Sequence, residues 1–153
     1  MSETYYNNLS NNYSVNDIIK FNDNNIFIYF RYFEKKDDYT DLLTYLMTGM
    51  NKYKNIQESQ NRNHFVKVIA DFDGIKLAKL DFDFLKELLN YLDVNYDKLL
   101  SEFYCVNVTV VFKMGYKIIK PLLNKSVKSK IKFLKKGENS KLIEINENEL
   151  DNI

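Results

Sequence analysis

Few side chains in this sequence are typed and spaced for chemistry. There is one histidine, His64, and one cysteine, Cys105, and one of each cannot assemble a usual zinc site. Cys105 falls in the apolar run 103–108 (FYCVNV), which reads as a buried strand. His64 reads as a loop or strand-edge residue, with a general base as the alternative. Asp71 and Asp73 beside Gly74 make either a carboxylate pair at a strand end, where α/β proteins hold ligands, or a turn, since Asp and Gly are preferred turn residues. The four glycines, at 49, 74, 115 and 137, build no loop in which backbone N–H groups could converge on phosphate. No base stands near a serine in a way that would make it a nucleophile. The expectation is a protein that is not an enzyme, with no catalytic residue, no metal and no cofactor.

Charge is the feature that stands out. The whole chain carries +1, which predicts no attraction to nucleic acid or anionic lipid. Residues 103–137, however, hold nine lysines and no acid, while the other 118 residues hold 13 basic and 21 acidic groups, a balance of −8. Nucleic acid is not the expected partner, because that remainder would repel the same phosphates. Within the segment, Phe112, Tyr116, Ile119 and Leu123 recur at helical spacing, and Lys113, Lys117 and Lys120 recur at i, i+4, i+7 on the adjoining face. This is a basic amphipathic helix. It suits either an anionic membrane surface or an ordinary position against a core with its lysines in water.

The elements that must position these groups follow from periodicity. At 153 residues, 45% apolar and 15% aromatic, the chain is sized for one hydrophobic core. Its longest apolar runs fall far short of the roughly 20 residues that cross a bilayer as a helix. With one cysteine and no basic-plus-apolar leader, a secreted disulfide scaffold is excluded, and a reducing, cytoplasmic setting is expected. Residues 1–24 are rich in Asn and Ser and read as a flexible N-terminal arm with one short helical turn near Asp17 to Lys20; the domain occupies 25–153. Strands are expected over 26–33, 65–71, 103–108 and 130–134, and helices in 42–50, 80–92 and 110–123, with Pro121 at the last turn. Asp37, Asp38 and Asp41 sit at the positive end of the first helix. Leu142 to Ile145 is a short closing element. The order is that of an α/β fold with a mostly parallel sheet and right-handed crossovers.

The stretch from Phe65 to Leu150 resembles the CRAL-TRIO lipid-binding family. Val68-Ile69-Ala70-Asp71-Phe72-Asp73-Gly74 is similar to the family's strand ending in a hydrophobic-Asp-x-x-Gly turn. Asn95-Tyr96-Asp97-Lys98-Leu99 stands where the family has Tyr-Pro-Glu-Arg-Leu, and Lys120-Pro121-Leu122-Leu123 resembles the Lys-Pro-Phe-Leu that ends its gate helix. Lys130 to Leu134 resembles the strand that follows. Val108-Thr109 replaces the family's Ala-Pro, and Val106-x-x-Thr109-x-x-Phe112-Lys113 is similar to a divergent branch found in Rho GTPase-activating scaffold proteins.

The resemblance implies a sheet forming the floor of an apolar lipid cavity, helices packed around it, and the helix from Phe112 to Leu123 as a movable gate. Tyr29, Val68, Ala70, Phe72, Tyr104, Val106, Phe112, Tyr116, Ile119 and Leu123 are then expected to line the pocket. Arg31, Lys113, Lys117 and Lys120 are expected at the membrane or headgroup. The implied function is phospholipid binding and transfer, with phosphatidylinositol or a phosphoinositide as first choice, by peripheral docking on anionic membranes. The alternative is a non-enzymatic interaction module that binds a small GTPase or its regulator through the same fold with a collapsed pocket.

Overall fold

A computed structural model of the chain describes residues 13–33, 38–60, 62–75 and 81–153. The first twelve residues of the expected arm, Asp37 and Leu80 lie outside these. Among the described residues six strands form one sheet in sequence order: β1 (Ile19–Asn22), β2 (Asn25–Tyr29), β3 (Val66–Asp71), β4 (Leu100–Val106), β5 (Ile131–Lys136) and β6 (Leu142–Ile145). The four central strands are parallel, and an antiparallel hairpin partner closes each edge.

Helix α1 (Val15–Ile18) precedes β1, α2 (Thr40–Ser59) joins β2 to β3, and α3 (Phe82–Tyr96) joins β3 to β4. Between β4 and β5 lie α4 (Val110–Ile119) and the single turn α5 (Lys125–Lys128). Asp81 caps α3 by accepting from the Phe84 N–H at 3.0 Å, and Thr109 caps α4 by accepting from the Phe112 N–H, each relieving an orphan donor of the first turn. A 3-10 turn over Lys120–Leu122 ends α4, because Pro121 brings no N–H to continue it.

Two elements differ from the sequence reading. Folding begins inside the segment read as an arm: α1 and β1 bury Ile18 and Ile19, and Ile19 and Phe21 pair across to Ile28 and Ile26. The β-aromatic run 26–33 does not stay extended. The strand stops at Tyr29, and a 3-10 turn over Phe30–Tyr32 swings Phe30 and Phe33 together into the core, with Phe30 stacked on Phe72 at 4.7 Å.

Register decides which side chains share a face, because directly opposed residues point the same way. Ile28, Ala70, Cys105, Phe133 and Ile145 form one transverse row, all buried. The next row, Tyr29, Asp71, Val106, Leu134 and Glu144, points to the opposite side. Adjacent parallel strands with right-handed crossovers put every connecting helix on one face. Accordingly α2, α3 and α4 form one layer: Tyr91 of α3 donates to Met47 Sδ of α2 at 2.9 Å, Tyr96 donates to Asn51 at 2.7 Å, and Phe82 of α3 approaches Phe112 of α4 at 6.4 Å. On the other face Phe27, Tyr29, Ile69, Tyr104 and Leu134 stay partly exposed.

Two expectations follow. Gly115 lies where α4 meets α3, and a Cβ there would stand 1.8 to 2.1 Å from three ring atoms of Phe82. Gly115→Ala should therefore lower stability by about 1–2 kcal/mol despite alanine's better helix propensity, read as a lower urea midpoint with unchanged slope. On the open face, Tyr104 donates to Glu102 at 2.7 Å. That bond first, and burial second, push the phenol up to about 12, while the same bond holds Glu102 below its ordinary value. The Tyr104 contribution is complete below the unfolded phenol value of about 10 and is lost as pH rises through about 12; the Glu102 contribution fades as pH falls through its lowered value. An ultraviolet phenolate titration should show Tyr96 and Tyr104 ionising near 12, with Tyr104→Phe losing one of the two.

Candidate functional site

The residues singled out by sequence do not form one pocket. Val68 and Ala70 face the helix layer and are buried, as are Phe72, Phe112, Tyr116, Ile119 and Leu123. Tyr29, Tyr104 and Val106 belong to the opposite face, since they align with Asp71, Ile69 and Asp71 respectively and not with Val68 or Ala70. Their expected place in a cavity beneath α4 is corrected by this register: strand alternation sends every second side chain away from the helices.

Beneath α4 the expected lipid space is occupied by rings. Phe112 lies 4.8 Å from Phe72, 5.7 Å from Tyr116 and 6.1 Å from Phe133, and Tyr116 stands edge-on to Phe133 at 5.2 Å. These separations and angles are those of packed aromatic pairs. Burial pushes the Tyr116 phenol up, with the Glu147 carboxylate adding to the effect. The elongated cavity expected between sheet and α4 is thus filled by side chains in this conformation. Beside this seam an open cleft of about 470 Å³ is lined by Tyr116, Ile131, Phe133, Ile145 and Glu147, and another of about 820 Å³ lies at the other end of the sheet, before β3 and β4, among Lys54, Arg62, Phe65, Val94, Tyr96 and Lys98.

Helix α4 presents three sectors at about 100° per residue. Phe112, Gly115, Tyr116 and Ile119 face inward. Lys113, Lys117 and Lys120 form the second sector, and each meets the C-terminal segment. Lys113 Nζ donates to the Ile153 carbonyl at 3.1 Å, Lys117 pairs with Asp151 at 3.1 Å and Lys120 with Glu147 at 2.8 Å. The third sector is apolar and faces water: Val110, Met114 and Ile118, continued by Leu122, are 50%, 55%, 72% and 57% exposed. Sequence reasoning missed this stripe, although its i, i+4, i+8, i+12 spacing was available and a helix apolar on two sectors is not an ordinary surface helix. Arg31 lies elsewhere, on the turn after β2, its guanidinium 5.6 and 4.8 Å from the Tyr29 and Tyr32 ring centres.

The chemistry-bearing residues have structural roles. Asp71 Oδ1 accepts from the Asp73 N–H at 2.9 Å and from Asn107 Nδ2 at 2.8 Å, and Asp73 pairs with Lys136 at 3.0 Å. With Gly74 at φ 72°, this is a turn stitched to the end of β4. Cys105 is buried, which pushes its thiol up and keeps it from the nucleophilic thiolate form. His64 stacks on Tyr53 at 5.8 Å, and its carbonyl accepts from Gln57. Among the described residues no group of three or more His, Cys, Asp or Glu is placed to hold a metal ion, and no helix is long and apolar enough to cross a membrane.

Comparison with known proteins adds a family to this geometry. No curated protein matches the chain. The crystal structure of Sfh5 superposes with a TM-score of 0.62 at 20% sequence identity, over 88% of this chain and 56% of that one. At this identity the likeness is one of fold, and the chain spans little more than half the length of that protein. The model of the CRAL/TRIO domain matches residues 22–151, from the end of β1 through the C-terminal 3-10 segment. CRAL/TRIO domains are lipid-binding domains. By this match over most of its length, the chain belongs to the CRAL/TRIO domain family.

Proposed function

We propose that this domain is a phospholipid-binding protein that docks peripherally on anionic membranes through α4. The observation that carries the proposal is the outer surface of that helix, an exposed stripe of Val110, Met114, Ile118 and Leu122 running beside Lys113, Lys117 and Lys120. An apolar ridge of this kind gains free energy by entering the acyl boundary, while neighbouring lysines meet headgroup phosphates at about 1 kcal/mol each. Phosphatidylinositol or a phosphoinositide is the proposed lipid, because both are anionic and the added ring phosphates of a phosphoinositide suit a row of cations, and exchange between membranes is the proposed role. Enclosing acyl chains requires α4 to move outward, so that lipid replaces the rings of Phe112 and Tyr116 over Phe72 and Phe133. Docking supplies a reason for that movement, since the same helix carries both the inner and the outer apolar face.

A second reading is favoured by a specific observation. The packed seam beneath α4 is what a collapsed pocket looks like, and an interaction module for a small GTPase or its regulator needs no cavity. Mass spectrometry of lipid extracted from the natively purified protein separates the two. A stoichiometric phospholipid supports transfer; none, together with capture of a purified GTPase, supports the module.

The docking surface is tested by substitutions that the fold tolerates. Ile118→Asp with Leu122→Asp alters only exposed side chains, so thermal unfolding should move little, while sedimentation with phosphatidylinositol-containing vesicles should weaken at least tenfold. Lys113→Glu with Lys117→Glu should weaken docking by about 2–4 kcal/mol, and the wild-type affinity should fall with salt as exposed charges are screened over about 8–10 Å. Equal binding to neutral and anionic vesicles at low salt would remove the electrostatic part of the reading. Tyr116→Asp buries a charge in the aromatic seam and should instead unfold the domain.

A further inference from the structure

The lysines assigned to membrane docking are already occupied. After β6 the chain turns at Asn146, whose side chain accepts from the Glu149 N–H at 2.9 Å while Glu149 accepts from the Asn146 N–H at 3.2 Å. The 3-10 segment Glu147–Asn152 then runs antiparallel to α4, so that Glu147, Asp151 and Ile153 meet Lys120, Lys117 and Lys113 in turn. The match is one of pitch. From Lys113 to Lys120 an α-helix rises about 10.5 Å, and from Glu147 to Ile153 a 3-10 helix rises about 12 Å. Leu150, buried on the inner side of the segment, anchors it.

The contacts are strong enough to organise the segment and too weak to hold it. Both partners of the Lys117–Asp151 pair are about three-fifths exposed, and those of Lys120–Glu147 about two-fifths. The Lys117–Asp151 pair, exposed on both sides, contributes little and is screened by salt, while in the Lys120–Glu147 pair the Glu147 oxygen itself is buried and the rest of the side chain reaches water. The charges that would compete with a lipid phosphate are thus positioned on the ladder yet remain exchangeable.

We propose that Glu147–Asn152 is an acidic strap that keeps the α4 lysine ladder self-paired, and that docking proceeds by exchange of its carboxylates for lipid phosphates. The inference rests on the membrane reading above and adds its regulation: the strap sets how much anionic lipid is needed before α4 engages, and its departure frees one side of the helix to move.

The test compares two double variants of equal net charge. Glu147→Gln with Asp151→Asn removes the strap's paired carboxylates, and Glu58→Gln with Glu87→Gln removes two exposed carboxylates of α2 and α3. Vesicles of neutral phosphatidylcholine with a fraction of phosphatidylinositol serve as the probe. The strap variant should bind about five- to tenfold more tightly than the control variant at moderate salt, and adding Lys117→Gln and Lys120→Gln, at the lysines those carboxylates pair with, should erase that gain. Should the strap pair fail to fold, Asp151→Asn alone, at an exposed position, should show a smaller gain of the same sign. Equal binding by the two double variants overturns the strap while leaving membrane docking intact. If no protein in the set binds anionic vesicles, the docking reading itself falls, and the exchange with it.

Discussion

Everything in this fold that bears on function depends on where α4 is pinned. Phe112 sits where Phe72 at the end of β3, Phe133 of β5, Phe82 of α3 and Tyr116 of α4 converge, and burying that cluster is worth more than any polar contact the helix makes. The position is also a consequence of topology. Strands laid down in sequence order with right-handed crossovers allow helices on one face alone, so α4 must share that face with α2 and α3, and Gly115 is the concession that lets Phe82 lie against it. Once the inner sector is committed to the sheet, the other sectors of α4 have nowhere to go but outward.

The outward sectors divide the labour. One carries lysines, which solvent tolerates and which the acidic C-terminal segment matches in pitch. The other carries Val110, Met114, Ile118 and Leu122, which gain nothing from water. A helix that needed only to cover the sheet would hold polar residues there. On the proposed reading, the exposed ridge and the paired ladder on one short helix form a surface for an amphipathic partner, with the strap satisfying the charges in the meantime. A phospholipid leaflet has the matching arrangement, anionic groups above an apolar layer.

A closed seam and a lipid-binding family are compatible on physical grounds. Aromatic packing beneath α4 is cohesive, but it consists of side chains on one helix set against side chains on a sheet, and the far side is held by non-covalent contacts alone: two ion pairs, the Lys113–Ile153 hydrogen bond and the buried Leu150. Acyl chains offer the same inner face an equivalent apolar environment, so exchanging rings for lipid costs far less than exposing the seam to water. The three carboxylate, thiol and imidazole groups that invited chemical readings are absorbed by the scaffold: Asp71 ties a turn to Asn107, Cys105 fills the buried row, and His64 stacks on Tyr53.

Much of this was legible in the chain itself. The α/β order, the apolar strands around Val68 and Cys105, the helix beginning near Phe112 and ended by Pro121, and the lysine ladder at i, i+4, i+7 all follow from local periodicity and charge, because those features are set by spacing along one segment. The family resemblance followed the same local cues. What the sequence could not decide was which face each strand residue takes and what each helix sector meets. Tyr104 and Cys105 are neighbours in one apolar run, yet register with Ile69 and Ala70 sends them to opposite sides of the sheet. Val15–Asn22 looked like part of a polar arm until pairing with β2 buried Ile18 and Ile19. Whether the lysines were free, whether the stripe at Met114 and Ile118 was covered, and whether rings or space lay under α4 were all questions of contacts between segments far apart in sequence. Such contacts depend on the packing of one layer on another, and only the tertiary structure holds them.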